Sequence, residues 1–360
     1  MNLPLPRRIL IRATNWIGDA VMTTPAVRTV RRNFPKAEIT LLAQPWVADV
    51  FTACPYLDRI LLYEKQGRHR GLRGKLRLAA ELRAEHFDCA ILLQNAFEAA
   101  LLAWLARIPV RAGYTTDGRG LLLTHGVAKP PDIGAQHQVH YYQAMLAGLG
   151  LQRAADALEL FLCPAAEQEA KQLVQGRNGP IIGLNPGAAY GPAKRWPSEK
   201  YAALAGQLAT ATGGLIVIFG TKADQDAAAA IIAAAASQVL DLTGRTSLAL
   251  ALACIARCDV FVTNDSGLMH VAAALNRPLA AIFGSTDHIA TGPFSERAKV
   301  IRHPLPCSPC LKTHCPQGHL RCMDLVSVEE VEQAVLNLLS AYQNESENMS
   351  PKVTIPRINS

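Results

Sequence analysis

Thr263-Asn264-Asp265-Ser266-Gly267-Leu268-Met269-His270-Val271-Ala272-Ala273-Ala274-Leu275 reads as the end of a buried strand that turns directly into a helix. Val260 to Val262, just before it, is wholly apolar, Asp265-Ser266-Gly267 is turn and cap chemistry, and His270 to Leu275 is a small-residue helical run. Free N–H groups at such a helix start, reinforced by the helix dipole, form an anion site suited to phosphate. Taken alone, the segment favours an ordinary capped helix in an α/β protein. A second unit changes the balance: Arg8-Ile9-Leu10-Ile11-Arg12 is a strand, Asn15-Trp16-Ile17-Gly18-Asp19 a short loop, and Ala20 to Asn33 carries Val21, Ala26, Val27 and Val30 at helical spacing. Two strand–loop–helix units far apart in the chain, each with a carboxylate in its loop, predict a cleft between two domains.

The rest of the chain repeats this alternation. Strands are expected near Arg8–Ile11, Glu38–Leu42, Arg59–Tyr63, Cys89–Leu93 and Val110–Gly113, then near Ile181–Leu184, Leu215–Phe219, Val239–Asp241, Val260–Thr263, Leu279–Phe283 and Lys299–Ile301, with helical patterns between them. This is an α/β protein built of parallel βαβ units. Residues 115–136 are rich in Gly, Pro and Asp and read as one long loop, of the kind that is usually functional. The division expected is a first domain over 1–160, a second over 161–342 and a disordered polar tail over 343–360. Ser327 and Glu330 form a capping box that opens a last helix carrying Val328, Val331, Val335 and Leu338.

Length and composition agree. The 360 residues exceed one ordinary core, and a half-hydrophobic, modestly charged composition is that of a folded enzyme-like chain. No run approaches the roughly 20 apolar residues of a membrane span, and Met1 to Leu10 lacks a signal core, so a cytoplasmic location is expected. The net charge of +7 is one-sided, with 20 Lys and Arg against 13 Asp and Glu in residues 1–160 and 16 of each in the remainder. Its densest part, Lys65 to Arg77, contains Arg68, Arg70 and Arg73 and no acid. Such a surface suits a nucleic acid, an anionic membrane or an acidic substrate. Sparse aromatics and the absence of a zinc-finger or RNA-platform motif disfavour nucleic acid. Neither Gly-x-Gly-x-x-Gly nor a P-loop occurs, which disfavours dinucleotide-dependent dehydrogenases and P-loop NTPases.

Three segments carry a resemblance: Trp16-Ile17-Gly18-Asp19-Ala20-Val21-Met22-Thr23-Thr24-Pro25, Asn185-Pro186-Gly187-Ala188 with Gly191-Pro192-Ala193-Lys194-Arg195-Trp196-Pro197, and Asn264-Asp265-Ser266-Gly267-Leu268-Met269-His270. In order and separation they resemble the ADP-heptose lipopolysaccharide heptosyltransferases of Gram-negative bacteria, from about Arg8 to Tyr342, and most closely the type II branch. The resemblance implies a GT-B fold, two Rossmann-like domains facing each other across a cleft, with a final helix crossing back to the first. It implies inverting transfer of L-glycero-D-manno-heptose from ADP-heptose to the heptosylated Kdo-lipid A inner core, in the cytoplasm and peripheral to the anionic inner membrane.

Sugar transfer from a nucleotide diphosphate needs a base for the incoming hydroxyl and positive or dipolar groups for the departing pyrophosphate. By resemblance Asp19 is the base, although an N-cap of a helix starting at Ala20 is the alternative. Lys194 is the cation for the leaving group, Asp265 lies near the heptose hydroxyls, and His270 near the phosphates or, alternatively, packed in the core. Asn185, Gly187, Arg195, Thr221, Lys222, Asp224, Ser266 and Gly267 complete the expected donor side. Asn15, Trp16, Arg68, Arg70, Arg73, Asn95, Arg111 and Arg119 form the expected acceptor side. By the same resemblance, catalysis is expected to need no metal. Four of nine cysteines cluster as Cys307-x-x-Cys310-x4-Cys315-x6-Cys322, a spacing open to a structural zinc, an iron–sulfur site or no metal at all. Rivals are heptosyltransferase I or another branch, a nucleotide-sugar epimerase of the same architecture, and a non-catalytic nucleotide-sugar-binding regulator.

Overall fold

The computed structural model describes residues 3–176, 179–235 and 238–349. The first half runs β1 (Arg8–Arg12), α1 (Ile17–Met22), α2 (Thr24–Asn33), β2 (Glu38–Ala43), α3 (Pro45–Ala48), β3 (Arg59–Leu62), α4 (Gly71–Ala84), β4 (Cys89–Leu92), α5 (Phe97–Leu105), β5 (Val110–Tyr114), β6 (His125–Val127) and α6 (Gln138–Gly148). The second runs α7 (Pro164–Val174), β7 (Ile181–Asn185), α8 (Ser198–Thr212), β8 (Leu215–Ile218), α9 (Gln225–Ala235), β9 (Val239–Asp241) and α10 (Leu248–Ile255). It continues with β10 (Val260–Asn264), α11 (Gly267–Ala274), β11 (Leu279–Ile282), α12 (His288–Thr291), β12 (Ala298–Ile301), α13 (Arg321–Asp324) and α14 (Val328–Met349).

Each half builds a six-stranded parallel sheet, in the orders β3-β2-β1-β4-β5-β6 and β12-β11-β10-β7-β8-β9. The central strands are continuous apolar runs because helices cover both sheet faces: Ile9 to Ile11, Leu215 to Ile218 and Val260 to Val262 are buried throughout. In both sheets the strand order reverses beside the first strand of the half, where a crevice opens at the carboxyl ends. The Asp19 and Asp265 segments emerge at those ends. Residues 149–163 lie against the first half, where the Arg28 guanidinium donates to Ala155 and Ala157 carbonyls and Tyr56 Oη to Glu159, whereas α7 packs on α10 of the second.

Several elements differ from the sequence expectation. The first helix begins at Ile17 rather than Ala20 and breaks at Thr23, where Thr23 Oγ1 donates to the Ala20 carbonyl and Pro25 follows without an N–H. Asp19 therefore lies in the first turn of α1, and the N-cap position is Trp16, which removes the capping role for Asp19. The segment read as one long loop contains β6, which pairs with β5 from Ala112↔His125 to Tyr114↔Val127. Among the described residues the last helix packs on the second half rather than crossing to the first: Val331, Val335 and Leu339 enter the core of the second, and α14 packs on α8, β10 and β11. It also continues through 343–349, part of the expected tail, while 350–360 lie outside the described residues. Among the described residues no helix is long and apolar enough to cross a membrane.

Candidate active site

The two helix starts meet across the seam between the halves. A Cβ on Gly18 would lie 2.7 Å from His270 Cδ2, and one on Gly267 would lie 3.1 Å from Ile17 Cβ and 3.3 Å from the Gly18 nitrogen. Only glycine at both positions lets α1 and α11 approach this closely. Two further contacts tie the halves: the Ala249 N–H donates to Asp49 Oδ2 at 3.1 Å, and His137 Nε2 donates to the Gly292 carbonyl at 2.8 Å.

A cavity of about 620 Å³ opens at this seam, lined among others by Asn15, Trp16, Gly18, Asp19, Lys194, Asp265, Ser266, Gly267 and His270. The half-buried Asp19 carboxylate has no hydrogen-bond or ion-pair partner among the described residues. Burial pushes its pKa from 3.8 up to about 6, with the Lys194 charge opposing and the Asp265 charge adding. A carboxylate poised near neutrality in a cleft suits proton abstraction. Facing it, Lys194 Nζ donates to Asp265 Oδ2 at 2.6 Å and lies 4.7 Å from the Tyr190 ring centroid, and Thr286 Oγ1 donates to the same oxygen at 2.5 Å.

The Ser266 hydroxyl caps α11 by accepting the Met269 N–H at 3.3 Å, and Asn185 Nδ2 donates to it at 2.8 Å. Buried Asn185 therefore orients the cap and does not line the cavity. His270 is buried at 4% exposure, its Nδ1 has no partner, and burial pulls its pKa down to about 4, so the ring is neutral at pH 7. It is thus both packed and a cavity wall. Asn264, fully buried, accepts from the Trp196 N–H and Tyr201 Oη and donates to the Pro186 carbonyl, locking the loop that carries Lys194 onto the end of β10.

A wider basin of about 910 Å³ adjoins this cavity on the first half, lined by Asn15, Trp16, Gln44, Trp46, Lys65, Gln66 and Arg70. Asn15 is held from three sides: Arg12 Nη2 and Gln44 Nε2 donate to its Oδ1 at 2.9 and 2.7 Å, and Trp46 Nε1 donates to its carbonyl.

Other expected site residues are engaged elsewhere. Arg119 is buried and donates to the Tyr114 and Gln94 carbonyls and to Asn95 Oδ1, while Asn95 Nδ2 donates to Tyr141 Oη. Arg111 spends its guanidinium on the Leu122, Ile108 and Pro109 carbonyls. These three brace the β4–β6 edge and do not face the basin. Arg68 pairs with Glu81 at 2.7 Å, and Arg73 lies exposed on α4, so Arg70 is the member of that trio that lines the basin. On the donor side Thr221 and Asp224 satisfy each other in a capping box, Gly187 packs on the Asp224 carboxylate, and Arg195 reaches Asp224 at 3.6 Å. Lys222 packs against Gly244, and none of these five lines the cavity.

Sequence reasoning missed Trp46, Tyr190, Thr286, Asp287 and Leu311 as walls, and Arg12 and Gln44 as supports. Thr286 and Asp287 follow β11 at the carboxyl end of the sheet, a placement that would have flagged them. Tyr190 and Leu311 left no such signal, since Tyr190 Oη donates to the Leu311 carbonyl only through the fold. The segment carrying the four cysteines buttresses the Lys194 loop, with the Ala193 N–H donating to the Thr313 carbonyl at 3.0 Å. Cys307, Cys310, Cys315 and Cys322 are free thiols around one small pocket behind that loop. Cys322 is drawn into the second core, and Cys315 is turned toward backbone N–H groups of 317–320, led by Leu320, which lower its pKa. Among the described residues no three His, Cys, Asp or Glu side chains are placed to hold a metal ion together.

Comparison with known proteins decides the class. The profile of glycosyltransferase family 9 (heptosyltransferase) matches residues 75–321. The chain is 34% identical to lipopolysaccharide heptosyltransferase 2 of Salmonella typhimurium strain LT2, over 92% of this chain and 99% of the relative. The chain belongs to glycosyltransferase family 9. Lipopolysaccharide heptosyltransferase 2 of Escherichia coli strain K12 is 35% identical over 82% of this chain and 88% of its own length. The solved E. coli ADP-heptose lipopolysaccharide heptosyltransferase II superposes with a TM-score of 0.79 at 31% identity, covering 93% of this chain and 99% of that one. A family 9 glycosyltransferase from Veillonella parvula gives 0.85 at 25% identity, covering 95% and 99%. The fold is therefore GT-B and the protein is a glycosyltransferase.

Proposed function

We propose that this glycosyltransferase moves L-glycero-D-manno-heptose from ADP-heptose to the first heptose of a Kdo-lipid A inner core, with inversion. The observation that carries this reading is the unpartnered, pKa-raised Asp19 carboxylate facing Lys194 and the N-terminus of α11 across one cavity. The acceptor hydroxyl gives its proton to Asp19 as its oxygen attacks the anomeric carbon. The bond from that carbon to the β-phosphate oxygen breaks in the same displacement, and ADP leaves with its electron pair.

Lys194 offsets the charge that develops on the leaving pyrophosphate, assisted by the N–H groups at the start of α11. The Lys194–Asp265 pair gives this step a particular form. Donor binding draws the ammonium from Asp265 Oδ2 toward the phosphates, and Thr286 remains on Asp265 while its carboxylate accepts from sugar hydroxyls. Neutral His270 walls the cavity without adding charge. No metal enters this scheme.

Asn15, Trp16, Trp46, Lys65 and Arg70 make the basin the acceptor side, where tryptophan faces suit sugar rings and the two cations suit acidic or phosphorylated sugars. On this reading the reaction runs at the cytoplasmic face of the inner membrane. The test offers ADP-heptose with Kdo-lipid A acceptors that lack or carry the first heptose and weighs the products. A gain of one heptose on the heptosylated acceptor alone is expected. Transfer to the unheptosylated acceptor selects the type I reaction, and conversion of the donor to an epimeric nucleotide sugar without any acceptor selects the epimerase.

A further inference from the structure

The side of the first half away from α2 and α6 carries an unusual mixture. Helices α4 and α5 pack side by side, α5 packs on the turn at Gly120–Leu122, and all three lie over the core layer that includes Leu78, Leu82, Leu102, Ala103 and Ile108. Their outward residues are large and apolar where solvent-facing helix positions are normally polar. Leu72 and Leu76 are 74% and 48% exposed, Phe97 and Trp104 49% and 50%, and Leu121 99%. Spacings of four along α4 and seven along α5 put each pair on one stripe of its helix.

Cations interleave with them. Arg73 and Arg77 alternate with Leu72 and Leu76, and Arg83 and Arg107 lie at the far ends of the two helices, exposed. The carboxylates on and beside α4 and α5 are already committed, Glu81 to Arg68, Glu85 to Arg59, and Glu98 to Lys65 and Lys75, while Asp117 lies exposed before the turn. Among the described residues Arg70, Arg73, Arg77, Arg83 and Arg107 have no carboxylate partner. A protein partner of ordinary polarity would not match five unpaired cations around five exposed apolar side chains. The surface of an anionic bilayer does, because headgroups take the guanidinium groups while the apolar tips enter the interface.

We propose that the outer face of α4, α5 and the 120–122 turn seats on an anionic lipid bilayer, with Arg70 marking where that face meets the acceptor basin. The proposal rests on the reading of the acceptor as a lipid-anchored sugar. Seated this way, the basin opens beside the membrane surface, so a headgroup sugar enters it while its acyl chains stay in the bilayer. Neither the cavity residues nor the seam contacts are part of the face.

The experiment measures cosedimentation with phosphatidylcholine vesicles, with and without phosphatidylglycerol, together with transfer to a deacylated, water-soluble acceptor. Wild type is expected on the anionic vesicles, less so at high salt. Leu72→Ser/Trp104→Ser/Leu121→Ser and, separately, Arg73→Glu/Arg77→Glu are expected to bind them at least about tenfold more weakly, with melting temperature and transfer to the soluble acceptor unchanged. Variants that sediment like wild type overturn the proposal. So does a wild type that ignores vesicles but forms a dimer that the serine variant dissociates, since the face is then a self-interface. Vesicle binding without transfer to any acceptor would instead sink the proposed reaction and leave the face standing.

Discussion

Asp19→Asn separates the chemical role of this carboxylate from any structural one, because the structure sets the two effects in opposite directions. A rise in pKa from 3.8 to about 6 means that the folded state holds the proton more tightly than the unfolded chain does. Between those values the folded protein binds more protons, so this group's contribution to stability is full below pH 3.8 and is lost as the pH rises through 6. Two units at about 1.4 kcal/mol each give ~3 kcal/mol as the upper bound. Partial solvent access of the carboxylate brings the expectation down to about 1–2 kcal/mol at pH 8. Asparagine keeps the size and removes the ionised form. The variant should therefore unfold later than wild type at pH 8 by a few degrees and converge with it near pH 4, as read by calorimetry. Its kcat should fall by about 10² to 10⁴, the contribution of a positioned base, with ADP-heptose affinity nearly unchanged. Near-normal turnover, or a variant less stable than wild type at pH 8, would refute the assignment of Asp19 as a desolvated base.

Turnover of the wild type should rise with pH through an apparent pKa near 6 as Asp19 loses its proton, and a profile flat from pH 5 to 8 would point to a different base. Lys194→Ala removes the charge facing the phosphates and leaves Asp265 with Thr286 alone, so calorimetric binding of ADP should weaken by about 10- to 100-fold, the worth of one charge-assisted contact. Asn264→Ala orphans the Trp196 N–H and the Pro186 carbonyl in a buried site and should cost about 2–4 kcal/mol in denaturant unfolding, with donor binding reduced because the Lys194 loop loses its anchor. Gly191→Ala places a Cβ 2.4 Å from the Thr313 carbonyl at a φ of 154°, and should raise the Kd for ADP while the melting temperature changes by only a few degrees.

The sequence by itself determined the βα rhythm and both helix starts that meet at the cleft. Apolar strands such as Leu215 to Ile218 announce themselves because a parallel sheet covered on both faces tolerates little else. Asp265-Ser266-Gly267 is local cap chemistry and needs no distant partner to be read. Asp19 was legible only as a carboxylate in a motif. Its membership in α1 and its raised pKa both come from packing, since desolvation and the neighbouring Lys194 and Asp265 charges are supplied by the other half of the molecule.

The arginines show the same limit. Arg70, Arg111 and Arg119 look alike in a basic stretch of chain, yet the fold leaves Arg70 at the basin and turns the other two onto backbone carbonyls. Helix α14 illustrates it at larger scale: the stripe of Val331 and Val335 fixes that one face must be buried, but which core receives it depends on where β10 and β11 lie. Periodicity and capping are properties of neighbouring residues and can be read along the chain. The direction in which a long polar side chain turns, and the charges it meets there, depend on residues up to a few hundred positions away, and only the tertiary structure decides them.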